Sequence, residues 1–189
     1  LGFAVPLGGS KQPDGEVPMG EVLQLGKKWP TSDGVPPLEE NTTWLEVGVL
    51  RIGYEYRVLT DDLLGTTPGL VIADDAPTGF DTEGGSIHVN DAATGDEYLR
   101  FDVFDGDAHY HYLTPGQRNW VIPFDHVAHG DMWEWVFDCL RRRLRPMLRE
   151  AGALHLLDQI DDEAVLAAIP ELQRLAKLGR AGAVTVAAR

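Results

Sequence analysis

Apolar residues repeat at every second position over residues 44–123, then at every third and fourth position from residue 131 onward, and the changeover happens once. Alternating periods would have argued for β/α/β units around a parallel sheet. One changeover predicts an α+β fold instead: an antiparallel β-meander of four to six strands packed against a C-terminal helical segment. Strands are expected within 44–123 and helices within 131–179, together forming one domain over 44–182, with residues 183–189 as a tail.

Within the strand region, Leu45, Val47 and Val49 alternate on odd positions, and Leu50, Ile52, Tyr54, Tyr56 and Val58 on even ones, opposite Arg51, Glu55 and Arg57. One inserted residue would produce the phase flip at Val49–Leu50, so a bulge or bend is expected there. Leu70–Ala73 reads as a short strand, and residues 74–85 as an acidic, Gly-rich loop. Ser86–Asn90 and Glu97–Phe104 read as a hairpin, with Leu99, Phe101 and Val103 on one side and Tyr98, Arg100, Asp102 and Phe104 on the other. His109–Tyr112 and Trp120–Ile122 continue the meander.

Asp131 and Glu134 have the spacing of a capping box, and Trp133, Val136, Phe137, Leu140, Leu144, Met147 and Leu148 form one helical stripe. Pro146 should break this helix near Arg142–Arg145, and Gly152 should end it. A second helical stretch starts near Asp161, with an interruption expected at Pro170.

Residues 1–43 hold 7 Gly and 6 Pro, a density typical of irregular chain, yet carry scattered Leu, Val, Phe and Trp. They read as an extended arm that lies on a surface, and the expected partner is another protein or a second copy of this chain. The charge is uneven: residues 1–138 carry 7 Lys/Arg against 24 Asp/Glu, and residues 139–189 carry 9 against 6. The acidic surface disfavours nucleic acid and anionic lipid, and no apolar run reaches the ~20 residues that a spanning helix needs. Cys139 is the single cysteine, which excludes a disulfide framework and suits a cytoplasmic setting. It reads as a packing residue.

Four of the six histidines fall in one short stretch, Asp107-x-His109-x-His111 followed by Asp125-His126-x-x-His129-x-Asp131. His109 and His111, two apart on a strand, share a face, and His126 and His129 can converge on a turn. Two chemical uses fit: a site for one divalent transition metal, zinc or iron, on His109, His111, His126 and His129, or acid–base work by paired His and Asp. Histidines that only pack in a half-buried sheet are the third reading. Asp102, Asp105 and Asp107 lack the order and closing Glu of a calcium loop. No phosphate loop, nucleophile elbow or other cofactor-binding motif is present.

The segments EYLRFDVF (97–104), HYHY (109–112), Pro123-Phe124-Asp125 and Gly130-Asp131-Met132, with the Arg-rich helix and Ala151-Gly152 after them, resemble a family of uncharacterised, chiefly actinobacterial proteins over roughly residues 44–153. The resemblance implies a self-contained α+β module and carries no catalytic residue with it. Two functions follow as expectations. The first is a non-catalytic accessory or scaffold subunit that binds other protein subunits. The alternative is a small metal- or histidine-dependent enzyme built on the four histidines.

Overall fold

The computed structural model describes residues 27–28, 35–62, 79 and 81–180. The strands are β1 (Lys27–Lys28), β2 (Thr42–Val47), β3 (Leu50–Thr60), β4 (Asp81–Asp91), β5 (Glu97–Phe104), β6 (His109–Thr114) and β7 (Arg118–Pro123). They form one antiparallel sheet in the order β1-β7-β6-β5-β4-β3-β2. The helices follow in sequence: α1 (His126–His129), α2 (Met132–Arg142), α3 (Leu144–Glu150), a 3₁₀ helix (Leu154–Gln159) and α4 (Asp162–Arg180). The fold is α+β, an antiparallel meander with C-terminal helices.

The helices cover one face of the sheet. Leu50, Ile52 and Tyr54 of β3, Ile87 and Val89 of β4, and Leu99 and Phe101 of β5 pack there against Val136, Leu140, Leu148, Ile169 and Leu172. Gly85 keeps this interface close, since a Cβ would come within 2.7 Å of the Trp133 ring. Asp131 caps α2 by accepting from the Glu134 backbone N–H at 3.0 Å. The break before α3 falls at Arg143, as Pro146 demands. Gly152 takes φ +89° beyond α3, the conformation of a C′ residue.

Four expectations change. The phase flip at Val49–Leu50 is a hairpin turn rather than a bulge: Val47 pairs with Leu50, and Gly48 at φ +63° takes the first turn position. A two-residue turn shifts the alternation by one, as an inserted residue would. Residues 81–85 belong to β4, not to a loop, because Gly84 and Gly85 sit where Phe104 and Trp133 leave no room for a Cβ. The helix interruption at Pro170 is absent, and α4 runs through it. Pro170 and Leu166 are both exposed, so the carbonyl that loses its partner faces water. The expected arm contains β1, and Val35–Leu38 is bound to β3; the remainder of residues 1–34, the strand at Leu70–Ala73 and the tail 183–189 lie outside the described residues.

Candidate metal centre

The opposite face of the sheet carries a layer of polar side chains. Cross-strand register sets Glu55, Ser86, Asp102 and His109 in one row, and His88, Arg100 and His111 in the next. Among the described residues, Glu55, Ser86, His88, Arg100, Asp102, His111 and Asn119 are all at most 5% exposed. Phe104 and Leu113 are buried on this face too, outside the main core cluster.

Glu97 reaches the layer through an irregularity. Its parity matches Leu99 on the helix face, but the register shifts between Val89 and Asn90. Glu97 therefore meets His88 at 2.7 Å and grips Arg100 through both carboxylate oxygens, while Tyr98 turns to the core beside His155. The side expected for Tyr98 is thus reversed by a bulge. Arg57 donates to the carbonyls of Val35 and Pro36, and Glu55 accepts from the Leu38 N–H, so this short segment is strapped to β3. Burial would push the Glu97 carboxyl up, but Arg100 and His88 outweigh it and hold it at about 2.

His109 and His111 stand side by side, ring centroids 5.0 Å apart, as their i,i+2 spacing predicts. Between them lies Asp102, whose Oδ2 is 3.3 Å from His109 Nε2 and 3.1 Å from His111 Nε2. Ser86 donates its hydroxyl to Asp102 Oδ1. The ligand-capable atoms of Asp102, His109 and His111 all fall within 4.8 Å of one another, the only such group of three or more among the described residues.

The far nitrogens decide the chemistry. His109 Nδ1 lies 2.7 Å from the Asp107 carbonyl oxygen, which only accepts, so Nδ1 carries the hydrogen. His111 Nδ1 donates in the same way to Asn119 Oδ1 at 2.7 Å. In the neutral rings both Nε2 lone pairs then point at one carboxylate oxygen. Lone pair against carboxylate is repulsive, so a positive occupant must stand between them, a proton or a metal ion. Nδ1–H held by an oxygen acceptor is also how metal-ligating histidines are oriented. Two ligands bonded at about 2.1 Å to one ion lie about 3.0–3.4 Å apart between octahedral and tetrahedral angles. The two Nε2–Oδ2 separations fall in that range.

Proton affinities follow the same geometry. For Asp102, burial raises the pKa, but hydrogen bonds from His109 and His111 and their charges pull it well below the carboxylate range. For His109, burial lowers the pKa, and Asp102 together with the Asp107 carbonyl outweighs it, so the net shift is upward. For His111, burial prevails over Asp102, and the ring favours the neutral form.

The other two candidate histidines are not part of this group. His126 and His129 lie on α1, exposed, packed beside Phe124. Phe124 and His129 also meet Trp135, whose ring packs at a tilt against Tyr110 on the helix face, so the sheet separates the two histidine pairs. Asp125 is occupied as the N-cap of α1 and Asp131 as that of α2. Cys139 is buried, its thiol pushed up to about 12 chiefly by burial, and it is no nucleophile. Asp102 could have been found from sequence by register alone: the 105–108 turn sets it directly opposite His109. Glu55, His88 and Glu97 were less accessible, since they are remote in sequence or displaced by the bulge.

An antiparallel sheet with helices on one face and a buried aspartate–histidine centre on the other defines an α+β domain with a candidate metal site. The chain belongs to the DUF7700 family, a domain of unknown function, whose family model matches residues 44–176. That range includes every strand of the polar layer and most of α4. No curated protein matches this chain, and no solved structure matches it.

Proposed function

We propose that this domain binds one divalent transition metal, zinc or iron(II), through Asp102, His109 and His111, and works as a small metal-dependent enzyme. One observation carries the reading: two imidazoles, each with Nδ1–H held by an oxygen acceptor, aim Nε2 at a single buried carboxylate oxygen. Two histidines and one carboxylate are a recognised donor set for both metals. Three protein ligands leave coordination positions for water or substrate, which is the mark of catalytic rather than structural sites. Approach is past His109, whose side chain is 13% exposed, against 4% for Asp102 and 7% for His111. A bound ion there would polarise a substrate oxygen or lower the pKa of its own water. Asn119 and the Asp107 carbonyl would orient the ligands, and Ser86 would fix the carboxylate.

Among the described residues no helix is long and apolar enough to cross a membrane. A cytoplasmic setting is part of the proposal, in keeping with a single buried thiol.

The test is elemental analysis of untagged protein. About one equivalent of zinc or iron per chain is expected, lost in His109→Gln, His111→Gln and Asp102→Asn and kept in His126→Gln and His129→Gln. Folded wild-type protein that neither retains nor takes up either metal would overturn the proposal.

A further inference from the structure

The two edges of the sheet are built differently. β1 is two residues long, and both are lysines, Lys27 and Lys28. Short length and lysine are both devices that discourage a further strand from adding to an edge. β2, at the other edge, runs from Thr42 to Val47 without proline, lysine or a bulge in its register with β3. Among the described residues, the one backbone bond on its outer side is from the Thr42 N–H to the Glu39 carbonyl, at 3.4 Å.

The turn decides which backbone groups are free. Val47 and Leu50 flank a two-residue turn, so they are a hydrogen-bonded pair, and bonded and non-bonded pairs alternate along β2 from there. Thr43, Leu45 and Val47 therefore direct N–H and C=O to β3. Trp44 and Glu46 direct theirs outward.

We propose that β2 pairs with β2 of a second copy of this chain, antiparallel and centred on Leu45, so that one sheet runs through a two-fold dimer. In this register the outward N–H and C=O of Trp44 and Glu46 bond those of the partner's Glu46 and the partner's Trp44, and each of these groups is satisfied. The one charged residue of the strand, Glu46, falls opposite the partner's Trp44, and in each copy that ring carries the Arg51 guanidinium 4.0 Å from its centroid. Leu45, half-buried at the margin of the core, meets the partner's Leu45 on the helix face. Centring on Glu46 would set two carboxylates directly opposite each other, and like charges there are destabilising. Centring on Trp44 would need the Thr42 N–H, which is already bonded. A second copy thus matches both the free groups and the charge of this edge.

The experiment is cross-linking of the full chain. Opposed residues of a non-hydrogen-bonded antiparallel pair have Cα atoms about 4.5 Å apart, within the roughly 4.4–6.8 Å span of a disulfide. Leu45→Cys should therefore form a disulfide between copies under mild oxidation, read as a band of twice the chain mass on a non-reducing gel. Thr43→Cys, exposed and on the same face, falls opposite the partner's Val47 and should cross-link far less. Cys139 is buried and does not compete. Sedimentation equilibrium measures the wild-type dimer directly. Glu46→Pro removes an outward donor without touching a bond to β3, and should weaken the dimer at least about tenfold with the melting midpoint retained. Glu46→Ala keeps the donor and should weaken it less. Wild-type chain that stays monomeric up to millimolar concentration, or Leu45→Cys that cross-links no better than Thr43→Cys, overturns the proposal. A dimer that Glu46→Pro leaves intact overturns it as well, since the copies then meet elsewhere.

Discussion

Replacing Asp102 by Asn separates a metal centre from a merely structural polar layer. The amide keeps the shape of the side chain, and its oxygen can still accept from Ser86. The negative charge goes, and one carboxylate oxygen becomes a donor facing the two Nε2 atoms. A ligand that binds only the folded state stabilises it by RT ln(1 + [L]/Kd), about 2.7 kcal/mol at a hundredfold excess over Kd. For a chain of this size each kcal/mol moves the melting midpoint by about 2–4 °C. Wild-type protein freed of metal by chelation, then given zinc at that excess, should therefore melt about 5–11 °C higher. Asp102→Asn should move by less than about 2 °C under the same conditions. His126→Gln and His129→Gln alter exposed rings on the other side of the sheet and should retain the full wild-type shift. Calorimetric scans with and without chelator measure all four. Equal zinc shifts in wild type and Asp102→Asn, or a shift lost in His126→Gln, would refute the assignment of ligands.

Other expectations test the surrounding structure. Leu140, 2% exposed in the middle of α2, should cost about 2–5 kcal/mol as Leu140→Ala, whereas Arg142→Ala, at a largely exposed side chain, should stay within about 0.5 kcal/mol in denaturant melts. The Glu97 carboxyl at about 2 lies below its unfolded value, so its contribution is present above the unfolded pKa and disappears as pH falls through about 2. Glu97→Gln should accordingly flatten the acid limb of the stability curve between about pH 4.5 and pH 2, an effect on the order of 3 kcal/mol. The assembly role expected of the N-terminal stretch from its sequence predicts that removing residues 1–26 weakens self-association or partner capture with the melting midpoint unchanged. Removing residues 1–38 should also lower the midpoint, because it strips the Val35 and Pro36 carbonyls from the buried Arg57.

The fold was legible wherever a period persisted. Period-2 alternation marked β5 and β6, and the stripe from Trp133 to Leu148 gave α2, the break and α3, because those residues all face one core. Errors came where one local signal has two structural causes. A phase flip follows from an inserted residue or from a two-residue turn, and at Gly48 it was the turn. Paired glycines mark loops or places where neighbours crowd a strand, and at Gly84 and Gly85 the neighbours were Phe104 and Trp133. For the site, His109 and His111 followed from spacing alone. Grouping them with His126 and His129 failed because closeness in sequence ignores which face of a sheet a residue occupies, and Tyr110 and Trp135 fill the side where that second pair lies.

The two faces of this sheet do different work. The helix face, with Leu50, Ile52, Ile87, Val89, Leu99 and Phe101 at no more than 1% exposed, supplies the apolar burial that folds the chain. The other face has equal opportunity to bury Val, Ile or Leu, and carries Glu55, His88, Glu97, Arg100, Asp102 and His111 instead. Replacing such groups with well-packed apolar residues is often neutral or stabilising in other proteins, so folding alone gives little reason to keep them. Nor is the arrangement a set of separate ion pairs. Glu97 bridges His88 and Arg100, while Asp102 gathers Ser86, His109 and His111. The first group runs on from His88 Nε2, 3.3 Å from Glu55 Oε2, to Arg57. In the second, one carboxylate oxygen faces two imidazole nitrogens whose other nitrogens are already committed, so a proton or a metal ion stands between them. Buried groups with shifted proton affinities are where function concentrates. By that criterion the candidate site sits at Asp102, between His109 and His111, with the Glu97 group beside it.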